Sequence, residues 1–131
     1  MGSDQESGGA KRGWLARMGA PIRDTANTAD REGVVRLSEC IDLAALRAYR
    51  QAVGRRTRQI IQHLTAEDVR RPVAEPALWA LLADDSVTAD AMDLLYYWGS
   101  LNCAGLLLMP ATRHPFVHWN EALRLKSKKT A

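Results

Sequence analysis

The chain has 131 residues, enough to bury one hydrophobic core but too few for two comfortable domains. A net charge of +3 and 47% hydrophobic residues are ordinary for a globular protein. No apolar run approaches the roughly 18 residues that a membrane span needs, which disfavours a membrane protein. Cys40 and Cys103 form no C-x-x-C motif, and we expect two buried thiols in a reducing cytoplasm.

The N-terminal part of the chain carries little regular apolar periodicity. Residues 1–12 have none, and we predict a disordered leader there. Residues 14–27 hold isolated apolar anchors around glycine and proline, which predicts an extended arm lying on the domain. We therefore assign a single helical domain to residues 13–126, followed by a basic tail at 127–131.

Two amphipathic helices are predicted next along the chain. Thr28 is a suitable N-cap for a short helix over residues 29–39. Asp42 caps the clearest helix, residues 43–64, in which Leu46, Val53 and Ile60 form one apolar seam. The other faces carry an arginine cluster that we interpret as solvated in preference to an anion site: Arg47, Arg50, Arg55, Arg56 and Arg58.

The C-terminal half is also predicted to be helical. Residues 65–68 have the form of a capping box, and residues 71–76, with two prolines, form a connector. We expect helices at 77–83, at 89–101 with Thr88 as its cap and Leu95 and Tyr96 on its inner side, and at 110–126. The sequence shows no convincing strand, repeat or glycine-rich nucleotide loop, so the predicted fold class is all-α.

The last predicted helix holds the best candidate for chemistry. His114 and His118 are four residues apart, so their imidazoles share one helix face, and imidazole is the commonest metal ligand in proteins. Glu121 follows three residues later on the same side. Pro115 is tolerated only in a first helical turn, which predicts a helix start near Thr112. We expect four apolar residues to pack this helix on the domain: Phe116, Val117, Leu123 and Leu125.

A zinc site needs three or four ligands, and one helix supplies two histidines and Glu121 as a further ligand or an outer-shell partner. His63, at the end of the long helix, is a candidate third ligand. The alternative is that His63 interacts with the carbonyls of its own helix end. A further alternative is that His114 and His118 are polar side chains that form hydrogen bonds with neighbouring groups, and that Trp119 lies in the core.

The stretch from Gly105 to Leu123 resembles the closing helix of DinB-like proteins, a superfamily of metal-dependent helical bundles. Segments 13–24 and 41–49 resemble other parts of that family, so the similarity runs from about residue 13 to 126. The resemblance implies a four-helix bundle with three histidine ligands, two of them matching His114 and His118. The acidic residue three positions on matches Glu121.

In that family the third histidine precedes the Gly-Trp-Leu connector, which here follows a Gly/Ser-rich leader. We therefore expect the donating helix to be absent, as in a truncated reading of a longer protein. The site is then vestigial or completed by a partner such as a second copy. The cofactor implied is zinc, nickel or manganese at low occupancy. An active site of this kind is typical of thiol-dependent transferases or hydrolases, and whether the chain is an enzyme stays open.

The alternative function is a non-enzymatic helical module that binds a second copy or another partner through an exposed apolar seam. A third interpretation is an anion or nucleic-acid binder that uses the arginine helix and the basic C-terminal end. Interspersed acidic residues and few stacking aromatics disfavour nucleic-acid binding. A basic helix end that complements the helix dipole explains the C-terminal charge more simply.

Overall fold

The structure, a computed structural model, describes residues 13–129, and the predicted leader and the last two residues of the tail lie outside this range. Every regular element in that range is helical, which confirms the all-α prediction. We number the α-helices from the one at residues 13–18 (α1): α2 (Arg31–Cys40), α3 (Leu43–His63), α4 (Glu75–Ala83), α5 (Met92–Gly99), α6 (Cys103–Leu108) and α7 (His114–Lys129).

Three shorter segments connect these helices. Two are single 3₁₀ turns, at Asp68–Arg70 and Ala89–Ala91, and the third is a π-helical segment at Met109–Arg113. The capping box predicted at residues 65–68 is present, because Thr65 and Asp68 exchange backbone and side-chain hydrogen bonds ahead of the first 3₁₀ turn. None of the described helices is long and apolar enough to cross a membrane.

Carboxylate caps determine where the first long helices begin. Asp42 Oδ1 accepts a hydrogen bond from the Ala45 amide at 2.8 Å, which confirms the predicted start of α3. Asp30, and not Thr28, caps α2 by accepting from the Gly33 amide at 2.8 Å. The predicted start was therefore two residues too early, since a Thr and an Asp stood close together and both are good caps.

The N-terminal arm was predicted as extended, and for residues 13–18 this was wrong. Those residues form α1, and Met18 near its end is only 5% exposed. Gly19 ends the helix with a φ of +63°, and the Met18 carbonyl accepts a hydrogen bond from the Asp42 amide at 2.8 Å. Further along, the Thr25 amide donates to the Ser86 carbonyl at 3.1 Å. The arm thus joins the start of α3 to the loop between α4 and α5.

The hydrophobic core lies between α4 and α5. Val87, Ala91 and Leu95 are its buried members, and the chain between the helices curls back so that the Ser86 and Val87 amides both donate to the Leu81 carbonyl. Six partly buried side chains pack around them: Leu78, Leu81, Leu82, Met92, Leu94 and Trp98. Leu95 was correctly predicted to face inward, whereas Tyr96, placed on the same side, is 66% exposed.

The C-terminal fifth of the chain is one continuous helical rod. Its base is tied to the connector, because the Cys103 amide donates to the Arg71 carbonyl at 3.0 Å and the Val73 amide to the Leu101 carbonyl at 3.4 Å. The rod then runs through α6, the π-helical segment and α7, over residues 103–129, roughly 40 Å at 1.5 Å per residue. Among the described elements, α7 packs mainly against the π-helical segment that precedes it.

Two packing predictions were wrong. The apolar side chains of α7 that were expected to pack on the domain are exposed, and so is Trp119: Phe116, Val117, Trp119, Leu123 and Leu125. Helical periodicity identifies an apolar stripe but does not show whether a partner covers it. The two thiols are free, with Cys40 exposed and Cys103 half-buried, so the expectation that both are buried was also wrong.

Candidate metal site

The histidine pair begins directly after the π-helical segment. The His114 amide donates to the Met109 carbonyl five residues back, and the Thr112 hydroxyl donates to the Leu108 carbonyl at 2.7 Å. Pro115 is the second residue of α7, but the predicted helix start near Thr112 was wrong, because the helical chain continues into α7 from Cys103 through the π-helical segment. Widened turns of this kind are often found next to functional sites. Sequence reasoning missed this segment.

The two imidazoles meet edge to face on the surface of α7. Their ring centroids are 4.5 Å apart at an interplanar angle of 78°, and the two Nε2 atoms are 2.8 Å apart. On the other side of the His118 ring, Nδ1 lies 2.9 Å from Glu121 Oε2. The side chains of His118 and Glu121 are 62% and 60% exposed, so solvent reaches this cluster freely.

The hydrogen bonds assign the protons of the pair. A carboxylate only accepts, so the Nδ1–H of His118 donates to Glu121. In a neutral His118 the Nε2 atom then has a lone pair, and it accepts from the Nε2–H of His114. The two Nε2 atoms therefore share a single proton, and a cation can take its place once that proton moves to Nδ1 of His114.

The residues present fit a divalent metal ion in part. Two imidazole nitrogens bonded at 2.0–2.1 Å to one tetrahedral ion are about 3.3 Å apart, so the observed 2.8 Å has to open only slightly. Both side chains are exposed, which leaves room for that rotation. Glu121 contacts the ring nitrogen that faces away from His114. In this arrangement it is an outer-shell partner that orients His118 and is not a third ligand.

His63 does not join this cluster. It is the last residue of α3, and its Nδ1 lies 2.6 Å from the Gln59 carbonyl oxygen, the local contact that was the alternative to metal binding. Within residues 13–129, no three His, Cys, Asp or Glu side chains are placed to hold one ion. The fold thus brings together His114, His118 and Glu121 and leaves His63 elsewhere.

A second feature is an apolar groove of about 300 Å³ between α4 and α5. The Trp79 indole N–H donates to Glu75 Oε1 at 3.0 Å at its edge. The groove has seven lining residues: Val73, Glu75, Leu78, Trp79, Leu95, Tyr96 and Gly99. The sequence around the groove is acidic, since residues 74–101 contain five carboxylates and no Lys or Arg.

Comparison of the chain with protein-family models, with curated proteins and with solved structures finds no match. The functional assignment therefore depends on the geometry of α7 and on the residues around it.

Proposed function

We propose that this chain is a DinB-like protein, part of a four-helix-bundle fold, that binds a divalent metal ion through His114 and His118. The observation that carries the proposal is the pair of facing Nε2 atoms, 2.8 Å apart, with Glu121 on the far nitrogen of His118. A carboxylate in that position fixes the tautomer of a ligating histidine and raises its basicity. Imidazole nitrogens favour zinc, nickel or a similar transition metal, and manganese is a third candidate.

Two histidines hold an ion weakly, and its other positions must be filled by water, by a substrate or by a partner. A bound ion there would supply Lewis acidity to water, to a low-molecular-weight thiol or to a carbonyl group. The chain's own contribution is to place two neutral imidazoles and to keep the His118 proton on Nδ1. If the site is catalytic, the resemblance to DinB-like proteins suggests a thiol-dependent transferase or a hydrolase.

The test is a titration of the metal-free protein with zinc, nickel and manganese by calorimetry, in buffers of different ionisation enthalpy. We expect one ion per chain without net proton release, because the proton between the two Nε2 atoms moves to Nδ1 of His114 when the ion binds. His114→Ala and His118→Ala should each abolish or strongly weaken binding. Occupancy below about a tenth of an equivalent, unchanged by His114→Ala, would overturn the proposal.

His63→Ala is the matched control, since it removes the remaining histidine without touching α7. We expect it to bind metal like the parent protein, because His63 contacts its own helix end. A loss as large as that of His118→Ala would instead show that His63 is a third ligand.

A further inference from the structure

Three of the exposed apolar side chains of α7 form a stripe on the side of the helix away from the histidines. Phe116, Trp119 and Leu123 follow the i, i+3, i+7 spacing of a single apolar face, and their exposed fractions are 69%, 64% and 49%. At about 100° per residue these three positions lie roughly 140–200° around the helix from His114 and roughly 100–160° from His118. Exposed apolar patches of this kind cost free energy in water and commonly mark interaction surfaces.

The groove between α4 and α5 complements this surface of α7 in both hydrophobicity and charge. It is open, apolar and framed by Trp79 and Tyr96, which are 45% and 66% exposed. The segment that builds it, residues 74–101, has five acidic and no basic residues. The segment 113–129 has five basic residues and one acidic residue. The two surfaces therefore match in hydrophobicity and carry opposite charge.

We propose that α7 of one copy docks in the α4–α5 groove of a second copy, and that the exchange is reciprocal. Within one copy α7 continues the rod that starts at Cys103, whose base is hydrogen-bonded to Arg71, so folding back onto its own groove would require the helix to break. The sequence of residues 1–12 offers no apolar segment that matches the groove, because Met1 is its single large apolar residue. A second copy offers the same groove without breaking the rod.

The area involved is sufficient for a specific dimer. Phe116 and Trp119 each present on the order of 150 Å² of exposed surface, given their exposed fractions. The groove loses a similar area beneath them, and a reciprocal dimer forms the contact twice, which brings the total to roughly 1,200 Å². This lies at the lower end of stable interfaces, so we expect a dissociation constant in the micromolar range.

Docking and metal binding use different faces of α7, so each can fail without the other. A docked α7 keeps His114 and His118 turned away from the groove. We therefore expect Trp119→Ser to abolish the dimer while the metal affinity is retained, and His118→Ala to abolish metal binding while the dimer is retained.

The test is light scattering and sedimentation of the full chain over about 1 to 100 μM. Trp119→Ser should weaken the dimer at least about thirtyfold, the effect of removing a central aromatic anchor. Leu125→Ser is the matched control, because Leu125 is 64% exposed but lies on the histidine side of α7. On the groove, Tyr96→Ala should weaken the dimer, whereas Tyr97→Ala should not, since Tyr97 is also exposed but does not line the groove.

Mixing the two defective variants tests the reciprocal geometry directly. In a mixture of Trp119→Ser and Tyr96→Ala, the intact α7 of one chain can dock in the intact groove of the other, so a heterodimer with one good contact should form. Raised salt should weaken both this and the parent dimer, because the surfaces carry opposite charge.

Three results would overturn the proposal. The first is a monomer at every concentration. The second is a dimer that resists both Trp119→Ser and Tyr96→Ala. The third is a dimer that needs Trp119 but not Tyr96, which would show α7 pairing with another surface.

Discussion

The outer-shell role of Glu121 can be tested by removing its charge and then its side chain. Glu121→Gln keeps an oxygen that accepts the Nδ1–H of His118 but loses the negative charge. Glu121→Ala loses both. In the parent protein Glu121 Oε2 lies 2.9 Å from His118 Nδ1 and keeps the His118 proton on that nitrogen. The lone pair of His118 Nε2 is therefore directed at His114. Each variant should therefore lower metal affinity, and Ala should lower it more.

The size of the effect follows from the exposure of the pair. Outer-shell partners of metal ligands typically contribute 10- to 100-fold in affinity, about 1.4 to 2.8 kcal/mol. The His118 and Glu121 side chains are 62% and 60% exposed, so water replaces part of what the carboxylate provides, and exposed ion pairs contribute only about 0.2–1 kcal/mol. We therefore expect the low end: about five- to tenfold weaker binding for Glu121→Ala and about two- to fivefold for Glu121→Gln.

The measurement is a competition titration against a chromophoric zinc chelator at one fixed pH of about 8, so that proton competition is compared under the same conditions for every variant. Glu39→Gln is the control, since it removes an exposed carboxylate from α2 and changes the net charge by the same amount. Zinc binding by Glu121→Ala that equals the parent, together with a loss in His118→Ala, would refute the orienting role and leave Glu121 as a surface residue.

Two further predictions concern the scaffold. Gly54→Ala, within α3, should raise the free energy of unfolding by up to about 1 kcal/mol, because the nearest atom to the added Cβ is Arg58 Nη1 at 3.8 Å. Gly19→Ala should lower it by about 1–2 kcal/mol, because the φ of Gly19 is +63° and a Cβ would lie 2.9 Å from the Cys40 carbonyl oxygen. Urea unfolding measures both free energies, and changes of the same sign would contradict the reasoning. Hydrogen bonds from the Thr65 amide and then from its hydroxyl lower the pKa of Asp68. The ionised Asp68 therefore stabilises the fold at pH values above the pKa of an unfolded Asp, and this contribution is lost as the pH falls through the lowered pKa. Thr65→Val should raise the NMR titration midpoint of Asp68, and an unchanged midpoint would show that the hydroxyl contributes nothing.

Local interactions explain which features were predictable. The cap at Asp42 and the Thr65–Asp68 box depend on residues three apart, so their hydrogen bonds can be inferred from spacing alone. The meeting of His114 and His118 is of the same kind, because a helix places residues four apart on one face. The contact of Glu121 with the outer nitrogen of His118 could not be predicted, because it depends on side-chain rotamers that residue spacing does not define.

Features that depend on distant residues could not be predicted in this way. The arm was predicted as extended because α1 has few periodic apolar residues, yet Met18 is buried and Gly19 fits closely against Cys40. The helix α6 and the π-helical segment were also not predicted, because proline was taken to mark a helix start. Pro115 indicated a helix start near Thr112, whereas the widened turn continues the helix from Cys103 past both prolines.

The sequence by itself determined the helical class, the main caps and the pairing of the two histidines, because each depends on contacts within one or two turns. Only the tertiary structure decided that the main core cluster forms around α4, α5 and the chain between them, that His63 stays with its own helix, and that the apolar side chains of α7 are exposed. Periodicity shows that a helix has an apolar face. Whether that face is buried depends on where the other helices lie, and that is set by long-range packing.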